Sequence, residues 1–178
     1  MTPIAQAVEP LRQAAVNCAA QYAEDFVTSI YEKLDACDWD IKAAYPMPRG
    51  TMDRAAYKQA MMMHTLARRL TTTDTVKHPF GCLRHGDPHY VMPHAEAKAQ
   101  YVAEARKDAS LQYDAFIAKL EQKVGAHTEA TLTGDHVWGY SFLTVTTASG
   151  TQRWKTQQIM NVSKLGTVFN QWPTRLVK

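Results

Sequence analysis

The chain has 178 residues, an apolar fraction of 46%, a charged fraction of 21% and a net charge of +3. That length suits one domain or two small ones, and the composition is that of a chain able to build a core, which excludes an intrinsically disordered protein. No apolar run approaches the length of a membrane span, and Met1 to Gln21 lacks a basic start and a continuous apolar stretch, so neither a spanning helix nor a secretory leader is expected.

The three cysteines, Cys18, Cys37 and Cys82, are odd in number and far apart. A disulfide framework is therefore not expected, and a reducing, cytoplasmic compartment fits better. The net charge hides an asymmetry. All 17 acidic residues lie at or before Asp135, whereas Arg153, Lys155, Lys164, Arg175 and Lys178 follow with no acidic residue among them. A basic segment of that kind points to an anionic partner.

In chain order, the first element is a helix. Leu11, Ala15, Cys18, Tyr22, Phe26, Ile30 and Leu34 recur at steps of three or four and form one apolar stripe, with Pro10 placed in the first turn. Pro46, Pro48 and Gly50 break the chain. A second helix is expected from about Met52 to Leu70, with Thr51 as its cap and Asp53 favouring its N-terminal end. The run Met61-Met62-Met63 predicts burial against two neighbours, and His64 among them reads as a hydrogen-bonded core residue.

Thr75 to Pro93 is irregular, with Pro79, Gly81, Gly86, Pro88 and Pro93. A third helix is expected from about His94 to Val124, roughly 45 Å long. Its stripe is Val102, Ala105, Ala109, Tyr113, Phe116, Leu120 and Val124, and Gly125 ends it. The period then changes. Val137 to Thr147 and Thr151 to Asn161 read as strands joined by the turn Ala148-Ser149-Gly150, with short strands around Thr131 and Val168. The expected fold is α+β: two or three long antiparallel helices packed with a small C-terminal antiparallel sheet. It is read as one domain, 1–178, helical through 125 and β-rich and basic from 126.

Three constellations could carry chemistry. The first is the basic tail. Arg153, Lys155 and Gln157 alternate with Trp154, Thr156 and Gln158 along one strand, and Lys164, Arg175 and Lys178 add charge. Cations meet phosphates, and the rings of Trp138, Tyr140, Trp154, Phe169 and Trp172 could stack on unpaired bases. The same residues also read structurally: Trp138, Tyr140 and Phe142 share a face and with Trp154 could be sheet core, while Lys and Arg protect an edge.

The second is the loop holding His78, Cys82, His85, His89 and His94. Imidazoles and a thiolate in that number suffice for a four-coordinate zinc ion, although the spacing matches no finger-type signature and Asp87 is a further candidate ligand. The third is a cysteine nucleophile at Cys82, for which nothing shows a lowered pKa or an orienting partner. With no Gly-rich phosphate loop, HExxH pair or GxSxG elbow, no catalytic residue is assigned. The acidic group Asp35, Asp38 and Asp40 around Trp39 reads as a helix end or a divalent-cation ligand set.

The segments Arg153-Trp154-Lys155-Thr156-Gln157, Asn161-Val162-Ser163-Lys164-Leu165-Gly166 and Phe169-Asn170-Gln171-Trp172-Pro173-Thr174-Arg175 resemble the ends of small uncharacterised bacteriophage proteins. The resemblance implies a phage or mobile-element setting. There a small non-enzymatic protein acts by binding host machinery or nucleic acid, which includes inhibiting a host defence nuclease. The functional expectation is thus a binding protein whose basic C-terminal face contacts nucleic acid or a nucleoprotein complex, with no membrane partner. The alternative is a metal-binding protein or metalloenzyme built on the loop 78–94.

Overall fold

The computed structural model describes residues 1–46, 53–71, 94–134, 141–163 and 166–177. Among the described residues four helices come first, α1 (Pro3–Asp35), α2 (Ile41–Ala44), α3 (Arg54–Thr71) and α4 (His94–Val124), and four strands follow, β1 (His127–Thr133), β2 (Phe142–Thr147), β3 (Gly150–Ser163) and β4 (Gly166–Val177). The strands form one antiparallel sheet in the order β1-β2-β3-β4. The α+β class expected from the sequence is the observed one.

The chain resolves into two compact units. One comprises Met1–Ala23 and Val102–Lys178, and the other Glu24–Tyr101. The first contains the sheet. Its core joins Ile4, Val8, Leu11 and Ala15 of α1 and Tyr113, Ile117, Leu120 and Val124 of α4 to Leu143, Val145, Trp154 and Trp172 of the strands. Within this unit α1 and α4 run antiparallel, since Arg12 meets Asp114 at 2.8 Å while Asn17 meets Arg106 further up the chain. The second unit gathers Val27, Ile30, Tyr31 and Leu34 of α1 around Ala44, Tyr45, Leu66, Ala67 and Ala97.

Helix α1 starts earlier than its stripe suggests. Thr2 caps it, its Oγ1 accepting the Ala5 N–H at 3.2 Å, and Pro3 takes the first helical position, where a missing N–H costs little. Pro10 lies inside the helix and not in its first turn. The buried stripe also runs differently in mid-helix. Ala19, Ala23 and Val27 are buried, whereas Cys18 is exposed and Tyr22 is 36% exposed. Small side chains let a neighbouring helix approach closely, so alanines and not the larger residues beside them face inward there.

At α3 the cap is Asp53, whose carboxylate accepts the Ala55 and Ala56 N–H groups at 2.8 and 3.3 Å, and Thr51 lies outside the described residues. Helix α4 spans His94 to Val124 as expected, and Gly125 follows it with φ +78°, a conformation that favours glycine. Asp40 caps α2 by accepting the Lys42 N–H at 2.9 Å, so part of the acidic group around Trp39 serves as a helix-start device. Asp38 and Trp39 there adopt φ of 48° and 61°, and the Trp39 ring meets Tyr31 edge-on at 5.6 Å.

Candidate nucleic-acid interface

Strand register decides which side chains share a face, because residues directly opposite one another project to the same side of the sheet. With Thr147 opposite Gly150 across the turn, β2 and β3 pair Leu143 with Trp154 and Phe142 with Lys155. One row, Leu132, Leu143 and Trp154, belongs to the core. The alternate rows are Thr133, Phe142, Lys155, Arg175 and Thr131, Thr144, Arg153, Val177. They lie on the opposite face, where Arg153, Arg175 and Val177 are exposed and Phe142 and Lys155 half-buried.

On this face the Arg153 guanidinium carbon stands 3.9 Å from the centroid of the Phe142 ring, a cation–π stack formed diagonally across β2 and β3. Lys155 and Arg175 are direct register partners across β3 and β4. Together with Phe142, Val177 and Leu176, the last being the register partner of the buried Trp154 on the other row, they line a cleft of about 630 Å³. Leu176 remains 46% exposed because β4 ends the strand order of the sheet. Glu129 stands opposite Thr146 at the β1 side, so the face grades from an acid at one edge to cations at the other.

The expected site residues are thus partly brought together. Arg153, Lys155 and Arg175 converge around Phe142. Gln157 is exposed, but its Oε1 accepts the Thr174 hydroxyl at 2.8 Å and its register partner is the buried Trp172. A register shift between Lys155 and Thr156 causes this, with Thr174 as the extra β4 residue beside Pro173, which has no N–H to offer a ladder. Lys164 and Lys178 lie outside the described residues, as do Trp138 and Tyr140.

Trp154 and Trp172 are 6% and 5% exposed and belong to the core, Trp172 against Phe116 at 4.1 Å and Tyr113 at 4.9 Å. Phe142 does not join Trp154 in that core. The hairpin carried the signal: counting back from Thr147 opposite Gly150 puts Phe142 opposite Lys155 and leaves Leu143 opposite Trp154.

Of the proposed metal ligands, His78, Cys82, His85 and His89 lie outside the described residues. His94 is described. As the first residue of α4 it stacks on Tyr31 at 4.5 Å and 21°. Among the described residues no three His, Cys, Asp or Glu side chains gather as a ligand set. His64 places Nδ1 2.8 Å from the Tyr45 carbonyl oxygen and is half-buried, the hydrogen-bonded role expected for it. Among the described residues no helix is long and apolar enough to cross a membrane. No protein-family model matches the chain, and no curated protein or solved structure matches it significantly.

Proposed function

We propose that this is a non-enzymatic binding protein whose C-terminal sheet contacts nucleic acid, free or within a nucleoprotein complex. The observation that supports this most is the Arg153–Phe142 stack beside Lys155 and Arg175 on a face of the sheet turned away from the core. Cations at that spacing suit successive phosphates, and a guanidinium plane backed by a ring offers a flat surface for an unpaired base. The absence of any acidic residue after Asp135 keeps the β3 and β4 side attractive to an anion. The phage-type setting implied by the tail makes a host nucleoprotein enzyme, including a defence nuclease, the complex to assay.

The test is an anisotropy titration of a labelled single-stranded oligonucleotide across a salt series. Binding at low salt, weakened in R153A/K155A with a flatter salt slope, is the expected result. No binding of any nucleic acid at low salt removes the free-strand reading. Binding only to an assembled nucleoprotein enzyme selects that form of the partner.

A further inference from the structure

The cleft beside Arg153 is not a flat patch of the sheet. Phe142, Lys155 and Arg175 form one row across β2, β3 and β4, and Val177 stands opposite Arg153 in the next row of that face. Leu176 belongs to the alternate row, opposite the buried Trp154, and yet lines the same cleft. A cleft lined from both rows of β4 lies at the outer edge of that strand, which ends the sheet among the described residues. There Leu176 is 46% and Val177 39% exposed. Three lining residues, Phe142, Leu176 and Val177, are apolar, and the other two, Lys155 and Arg175, are cations.

We propose that this edge cleft seats one unpaired nucleotide, its base against Phe142, Leu176 and Val177 and its phosphate on Arg175 and Arg153. The partner class rests on the nucleic-acid reading given for the sheet; the cleft adds to it a means of telling unpaired from paired strands. An occupant here must carry an apolar body and an anion close together. The cleft of about 630 Å³ falls within the roughly 300–1,000 Å³ of small-ligand sites, a size for one such group. A single strand can turn a base into it, whereas a duplex keeps its bases stacked inside and offers only phosphates. The Arg153 stack is compatible with this. It uses the flat of the guanidinium, and the N–H groups point outward in its plane, where a phosphate oxygen can meet them. Exposed Arg175 supplies the second cation, and no acidic residue follows Asp135 to compete for either.

The experiment measures the anisotropy of labelled oligothymidylate with the full chain. It is compared with a duplex of the same length and with a strand in which abasic sugars replace the thymidines. The intact strand is expected to bind about tenfold more tightly than the abasic one. L176A/V177A should bind the intact strand about tenfold more weakly at an unchanged salt slope, and should bind the abasic strand and the duplex as the parent does. R175A should flatten the slope by about 0.7, the share of one contact. Equal affinity for intact and abasic strands, with both weakened in R153A/K155A, overturns the base seat and leaves the phosphate contacts of the sheet intact. A loss of duplex binding in L176A/V177A as large as that of the single strand also overturns it. If no strand binds at low salt, the sheet reading falls together with the cleft. A peptide of alternating glutamate and leucine that binds where no strand does would replace the nucleotide by protein.

Discussion

The buried Thr156 N–H donates to the Ser141 carbonyl at 2.8 Å, and the Ser141 N–H donates back to Thr156 Oγ1 at 2.9 Å. A threonine hydroxyl thus satisfies the backbone just before β2 begins. In T156V the methyl group replaces that acceptor and leaves the Ser141 N–H without this partner. The expected cost is about 1–3 kcal/mol, read as a lower urea midpoint. T156S keeps the acceptor, so its cost is expected to stay near about 1 kcal/mol. Equal losses in the two variants would show that the hydroxyl is not what matters.

Trp172 anchors β4 against α4, and its ring is flanked by Phe116 and Tyr113. Its indole Nε1 is buried with no hydrogen-bond partner among the described residues. W172A should therefore destabilise by about 3–5 kcal/mol through the cavity it opens. W172F removes no hydrogen bond and refills much of that space, so it should cost clearly less in the same chemical-denaturation assay. A W172F loss as large as that of W172A would contradict this account.

Phe142 backs the Arg153 guanidinium without belonging to the core. If the stack serves recognition, F142A should weaken oligonucleotide binding by about tenfold, which corresponds to about 1.4 kcal/mol. F142Y keeps a ring and should bind like the parent. A salt slope unchanged in F142A would separate lost stacking from lost charge. Full affinity in F142A would restrict the role of the ring to holding Arg153.

Burial, then the charges of Tyr101 and Glu96, push the Tyr31 hydroxyl up to about 12 from an ordinary value of 10.0. Burial likewise raises Tyr45 and Tyr113. These folded-state values exceed the unfolded ones, so above pH 10 the folded chain holds protons that the unfolded chain has released. The stability they contribute is complete below about pH 10 and is lost as pH rises through the Tyr31 value of about 12. Urea midpoints should fall across that window, less steeply in Y31F. An equally steep fall in Y31F would assign the effect to other groups.

Local rules in the sequence determined much of this protein. The apolar period of α4 and the Gly125 stop marked that helix to Val124, and the turn signal at Ala148-Ser149-Gly150 marked the β2–β3 hairpin, although Gly150 itself opens β3 opposite Thr147 and so shifts the register by one from a strand beginning at Thr151. Both are short-range: a helical face repeats every three or four residues, and a tight turn dictates which residues lie opposite. The charge step after Asp135 was equally legible, being a matter of composition. Tertiary structure alone decided the rest. Alanines replaced Cys18 and Tyr22 on the inner face of α1 because the neighbours packed there determine which side is buried, and side-chain size does not reveal that. The split of α1 and α4 between two cores has no local marker, since one apolar stripe runs through both. The placement of Arg175 beside Lys155 depends on the register of a long strand pair that includes a bulge. On α3 the neighbours buried Leu66 and Ala67 and packed against Met63, leaving Arg54 and Lys58 exposed.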